Sequence, residues 1–131
     1  MNIKHTATGD DKPVVLTLQT GETDIAQNDI LGKIQFQAPD EGTGTDAILV
    51  AAGISAISEG DFSSSNNATK LSFHTASSAA AAETMSLSSG GNLTISGTYT
   101  GGGTMTTGGN IVIPNDGQIG SASDTNAIAI S

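Results

Sequence analysis

A six-residue phrase occurs twice in this chain, 18 residues apart: Gly90-Gly91-Asn92-Leu93-Thr94-Ile95 and Gly108-Gly109-Asn110-Ile111-Val112-Ile113. Each copy is a glycine turn, an asparagine and a short strand pattern with apolar residues two apart. A unit this short cannot bury its own hydrophobic face. It must stack on a neighbour or on another chain. The phrase therefore predicts an elongated β structure and argues against a compact catalytic domain.

The rest of the composition agrees. At 131 residues the chain has room for one ordinary domain. Large side chains are scarce: no Trp, Tyr99 alone, and Phe36, Phe62 and Phe73. Gly, Ser, Thr and Ala fill much of the remainder, and small residues bury little area each at roughly 25 cal/mol per Å². A lone monomer would have a weak core, and the strand-like runs favour a core completed by identical chains.

The formal net charge is −9, with four Lys and no Arg. Nucleic-acid binding rests on cations that neutralise phosphates, so no nucleic-acid partner is expected. Anionic membrane surfaces are disfavoured for the same reason, and the bidentate arginine clamp for carboxylate or phosphate is missing. Cysteine is absent, which removes disulfides, thiolate nucleophiles and Cys-based metal sites. Met1-Asn2-Ile3-Lys4-His5 has no apolar run of the signal-peptide kind, and no stretch is long enough to span a bilayer.

Along the chain, residues 1–13 form a polar arm. Val14 to Gln19 carries the first strand signal. Leu31 to Ala38 alternates strictly, with Ile34, Phe36 and Ala38 on one face and Lys33, Gln35 and Gln37 on the other. Pro39 to Asp46 is a polar loop. Ala47 to Ser58 mixes helix-favouring Ala with strand-favouring Ile and Val. It is assigned as a strand with Ile48, Val50, Ala52, Ile54 and Ala56 on one face, and with Gly53 as a possible bulge position. Leu71 to Thr75 alternates again. Ala76 to Glu83 has room for one helical turn, too short to stand alone. Met85 and Leu87 begin a strand, and Leu93 to Ile95 follows. Gly97 to Gly109 is Gly- and Thr-rich and reads as a linker. Ile111 to Ile113, Ile119 and Ile128 to Ile130 punctuate the remainder. Ser131 follows a strand-like pair directly, which suggests that more sequence follows in the natural protein.

No catalytic, cofactor or metal set emerges. His5 lies in the polar arm, and His74 lies at the outward phase of its strand as a surface histidine. Asp40 to Asp46 resembles a calcium loop in composition but lacks the EF-hand spacing and closing Glu. Asp10-Asp11 and Glu59-Gly60-Asp61 read as solvated acidic turns. No two carboxylates can be placed as a glycosidase pair. The serines have no base in a Gly-x-Ser-x-Gly elbow, and Gly101-Gly102-Gly103 is not followed by the Lys-Ser/Thr of a phosphate loop. Asn67-Ala68-Thr69 and Asn92-Leu93-Thr94 match the glycosylation pattern by chance.

Ile30 to Phe36, Ile54 to Phe62, Lys70 to Thr75 and Glu83 to Leu87 followed by Gly91-Asn92 form an ordered series. In order and spacing it resembles a β domain of bacteriophage tail fibres and related virion appendages, one frequent in marine phages and in fibres that end in an intramolecular-chaperone tail of the endosialidase type. Gly108 to Ser131, with Gly117-Gln118-Ile119-Gly120 and Asp124 to Ile128, is similar to the short repeats of such shafts. The resemblance implies a homotrimeric, β-rich fibre segment in the virion, with no enzymatic activity and no cofactor, joined to other tail or appendage proteins and to the host surface. The chaperone tail is absent from this sequence, so no self-cleavage is implied.

The expected fold is thus all-β: an antiparallel, sandwich-like domain over 1–97, then a linker and shaft repeat over 98–131, intertwined in a homotrimer. Ile34, Phe36, Ile54, Leu71, Phe73, Met85 and Leu87 are the expected core. The alternatives are a binding module using loops 39–46 and 59–69 clustered at one end to contact a host glycan or protein, a bacterial surface adhesin, and a glycan-degrading spike.

Overall fold

The computed structural model describes residues 3–39, 42, 44–101 and 103–115. The chain divides into two units, Met1–Tyr99 and Thr100–Ser131. The first holds a five-stranded antiparallel sheet in simple sequence order: β1 (Ile30–Gln37), β2 (Val50–Ser58), β3 (Thr69–Thr75), β4 (Ala82–Leu87) and β5 (Leu93–Ile95). A 3-10 turn at Asp46–Ile48 precedes β2. The fold is all-β.

The period-two alternation read in the sequence becomes two continuous rows across one face. Ile34, Ile54, Phe73, Met85 and Ile95 pair in register from β1 to β5, and beside them run Gly32, Ala56, Leu71, Leu87 and Leu93. Opposed residues of antiparallel strands point to the same side, so the expected core residues do share a face. The opposite face carries Lys33, Ser55, Ser72 and Ser86 in one row and Gln35, Gly53, His74 and Glu83 in the next.

Three irregularities re-aim side chains. Register shifts leave Leu31, Ala51 and Thr84 without a directly opposed partner, the signature of a β-bulge. The shift at Ala51 pairs Val50 with Gln37 and turns Val50 to the polar face. The expected placement of Ile48 and Val50 beside Ile54 is therefore corrected: Ile48 lies in the 3-10 turn and Val50 faces the other way. Gly53 is not the bulge; it pairs in register with both Gln35 and His74. The shift at Thr84 has a larger consequence. Glu83, Met85 and Leu87 would share a face in a regular strand. The extra residue sends Glu83 to the polar side and spares the apolar face a charge.

Val14 to Gln19 is not a strand, although its alternation is strand-like. Alternation supplies a face but not the hydrogen-bonding partner a strand needs. The segment instead lies against the apolar face: Leu18 Cβ is 2.8 Å from the position a Cβ would take at Gly32. Leu16 and Leu18 line one surface depression with Ile34, Ala56 and Leu71. Residues 76–81 form bends and no helix. Gly91 has φ +78°, so it supplies the left-handed residue of the β4–β5 turn. In the second unit the repeated phrase at 108–113 forms no strand. Ile119 and Ile128 to Ile130 lie outside the described residues.

The turn at 25–29 is fixed to the end of β2. Ser58 is 1% exposed and is satisfied on every side. Its hydroxyl donates to the Ala26 carbonyl and accepts from Asp29 N at 2.9 Å, while its backbone pairs with Asn28 N and Asp29 O. Phe62 N donates to Ile25 O, and Gln27 N donates to the Asp61 carboxylate at 3.1 Å. Ser58→Ala removes the hydroxyl that bridges Ala26 O and Asp29 N, which still pair with each other at 3.3 Å, and should cost about 0.5–1.5 kcal/mol. Chemical denaturation of the variant checks it, and an unchanged midpoint would show that water replaces the hydroxyl.

Candidate functional site

Burial in the sheet unit is inverted. Among the described residues no hydrophobic side chain is buried, whereas Ser55, Ser58, Ser72 and Ser86 are 0–9% exposed. The apolar face is open. Ile34, Phe36, Leu71, Leu87, Leu93 and Ile95 are all exposed, as are Leu16 and Leu18 beside them. With a large apolar side chain offering on the order of 150–200 Å², these eight exposures leave about 700 Å² of apolar surface. A monomeric protein seldom shows a contiguous patch beyond roughly 300–600 Å², and a specific interface takes about 800 Å² per partner. The expected core residues therefore make a core-like surface and not an interior. One antiparallel sheet has two faces, and Leu16 and Leu18 of the 14–19 segment lie against the apolar one.

On the polar face, long side chains close over the serines. Lys70 Nζ lies 2.8 Å from Glu83 Oε2. The Ser72 hydroxyl donates to that carboxylate at 2.6 Å. His74 Nε2 is 3.0 Å from Ser72 Oγ and 2.8 Å from Ser55 Oγ. His74 is thus half-buried and engaged through Nε2 with both serines, which corrects its reading as a surface histidine. The sequence does contain part of the missing signal. Ser72 and His74 are two apart on one strand and must share a face. Ser55 and Glu83 join them only through strand register, and Glu83 only through the Thr84 bulge.

Proton bookkeeping tells what this chain of groups can do. An ionised Glu83 only accepts, so Ser72 gives it its single hydrogen and can then only accept from His74. Nε2 therefore carries the proton, and Ser55 faces a donor and not a base. A serine nucleophile needs the reverse: a free ring nitrogen to take its proton, and a carboxylate on the other ring nitrogen. Here the carboxylate is spent on Ser72. The arrangement orients His74 and does not activate Ser55.

The salt bridge to Lys70 and, after it, the hydrogen bond from Ser72 hold the Glu83 carboxyl at about 2, against an ordinary 4.5. Its folded-state value lies below its unfolded one. The stabilisation is therefore complete above about pH 4.5 and is lost as pH falls through about 2. Thermal melts at about pH 6 and about pH 2.5 should show a larger fall in Tm for the native chain than for Glu83→Gln. Equal falls would remove Glu83 as a cause of acid sensitivity. Glu59 is also held low, through hydrogen bonds from Ser89, whose backbone N donates to Oε2 at 2.9 Å.

The remaining candidates separate. His5 is exposed, and its Nδ1 accepts from Ala7 N at 3.0 Å. Asp40, Glu41 and Thr43 of the calcium-like loop lie outside the described residues, and no group of three or more His, Asp or Glu is placed to hold a metal among the described ones. Loops 39–46 and 59–69 do not cluster. In a meander the β1–β2 and β2–β3 connections leave opposite ends of β2, so the shared binding end expected for them does not exist. No helix among the described residues is long and apolar enough to cross a membrane.

No protein-family model matches the chain, and no curated protein is significantly similar to it.

Proposed function

We propose that this chain is a structural segment of a bacteriophage tail fibre or fibre-like virion appendage. In this reading it acts as a homotrimeric spacer and scaffold for host attachment, without enzymatic activity of its own. The observation that carries the reading is the open apolar face, with Ile34, Phe36, Leu71, Leu87, Leu93 and Ile95 exposed in a single chain. A second copy offers the same rows and covers that face without any further component. In the assembly, apolar faces pack toward a common axis and serine-rich faces turn outward. The two-layer packing expected of a sandwich then arises between chains. The ordered series from Ile30 to Asn92 supports the tail-fibre assignment, and the recurrence of the phrase at 108–113 in the sequence, which forms no strand in the single chain, is the basis for a shaft repeat. The terminal strands are blunted: β5 is three residues long, and β1 carries Lys33 and a bulge.

Solution mass by light scattering tests the proposal. Three chains of 13.0 kDa give about 39 kDa. A mass near 13.0 kDa overturns the shared core, and a mass of two chains overturns the trimer.

A further inference from the structure

The polar face holds a cavity of about 180 Å³ between β1, β2 and β3. Lys33, Gln35, Ser55 and His74 line it, Ile30 and Val50 contribute aliphatic wall, and no carboxylate does. Gly53 also lines it, and a Cβ there would press on the Ile34 carbonyl oxygen of β1 at 2.8 Å. In a chain of net charge −9 this is an unusual lining. Lys33 forms no ion pair among the described residues, since the salt bridge found there joins Lys70 and Glu83. Ser55 is 4% exposed. The single Nε2 hydrogen of His74 is shared between Ser72 and Ser55, so Ser55 accepts there and its own hydrogen has no protein acceptor among the described residues. A buried hydroxyl with an unspent proton beside an unpaired ammonium and an amide calls for an acceptor of negative charge.

We propose that this cavity binds a small carboxylate-bearing ligand. The carboxylate takes the hydrogen of Ser55 and the charge of Lys33, with the Gln35 amide as a further donor, and the ligand body rests on Ile30 and Val50. The Glu83–Ser72–His74 chain acts at one remove. By fixing the proton on Nε2 it turns Ser55 into a donor toward the cavity, so these three are positioning residues. The site lies on the face that assembly through the apolar rows leaves open, and it does not depend on the tail-fibre assignment.

The test is a titration of the full chain followed by NMR, reading the His74 imidazole and the Ser55 amide. The probes are butyrate, its neutral counterpart butyramide, and glucuronate as a carboxylate on a sugar body. Saturable shifts are expected with butyrate or glucuronate and not with butyramide. The tighter of the two acids identifies the ligand body as aliphatic or sugar. Lys33→Gln, an exposed substitution that leaves the sheet intact, should weaken binding by about tenfold or more. Ser55→Ala should weaken it too, with the amide spectrum confirming the fold. The proposal is overturned if neither acid gives saturable shifts, if butyramide shifts the same resonances equally, or if Lys33→Gln binds as the native chain does.

Discussion

If the chain assembles as proposed, replacing Phe36 and Leu71 together with lysine should yield folded single chains of 13.0 kDa. The two side chains are 56% and 41% exposed in one chain, so little packing within the chain is lost. Phe36 lies opposite the small Ala52, and Leu71 lies between Ala56 and Leu87, itself exposed, so the backbone pairing is kept. Between chains the balance differs. Each substitution removes about 1.5–3 kcal/mol of burial and places an unpaired ammonium where the face would be dry, a cost of several kcal/mol more. With both changes present in every copy, association should fail at micromolar concentration, while the far-UV circular dichroism keeps its strand signature. Light scattering reads the result directly. A double variant that stays near three chains' mass would show that another surface holds the copies together.

Gly53→Ala should strain the sheet through a contact that cannot swing aside. An ideal Cβ at Gly53 falls 2.8 Å from the Ile34 carbonyl oxygen, and that atom belongs to the backbone of β1. A flexible side chain would swing away, but a paired strand cannot. β1 must withdraw at the Gln35–Gly53 pair, where it also lines the carboxylate cavity. Overpacking of this kind costs about 1–3 kcal/mol, which for a sheet unit of this size lowers Tm by about 4–8 °C per kcal/mol. Gly21→Ala and Gly97→Ala are the matched controls, since a Cβ at either position meets nothing within 4 Å. Those two should stay within about 0.5 kcal/mol of the native chain. Equal melting temperatures for all three variants would show that β1 adjusts freely.

The strands of the sheet were legible because each carries a physical signal in its own residues. Lys33 to Gln37 and Leu71 to Thr75 alternate with period two, and Gly90-Gly91 announces the turn before Leu93. The apolar face was legible for the same reason, since the seven residues expected as core do fall on one side. The limits of that logic are equally specific. Val14, Leu16 and Leu18 alternate, yet a strand needs a partner, and no local pattern supplies one. Ile48 and Val50 match the phase of Ile54, yet the bulge at Ala51 shifts them off it. Alternation also assigns a residue to a face without saying whether that face is covered, so an interior was expected where the single chain presents a surface.

What the sequence by itself determined is the class of structure and the thinness of the core that one chain can make. Period-two runs, glycine turns and scarce large side chains make strands whose apolar face one chain does not bury, and burial scales with area that small residues lack. What only the tertiary structure decided is the polar face. Ser55, Ser72, His74 and Glu83 come from three strands, and their meeting depends on register and on one extra residue at Thr84. Because side chains alternate with period two, an insertion of one residue moves a carboxylate from one side of a sheet to the other. That choice is made by the pairing of strands and not by any residue's own preference.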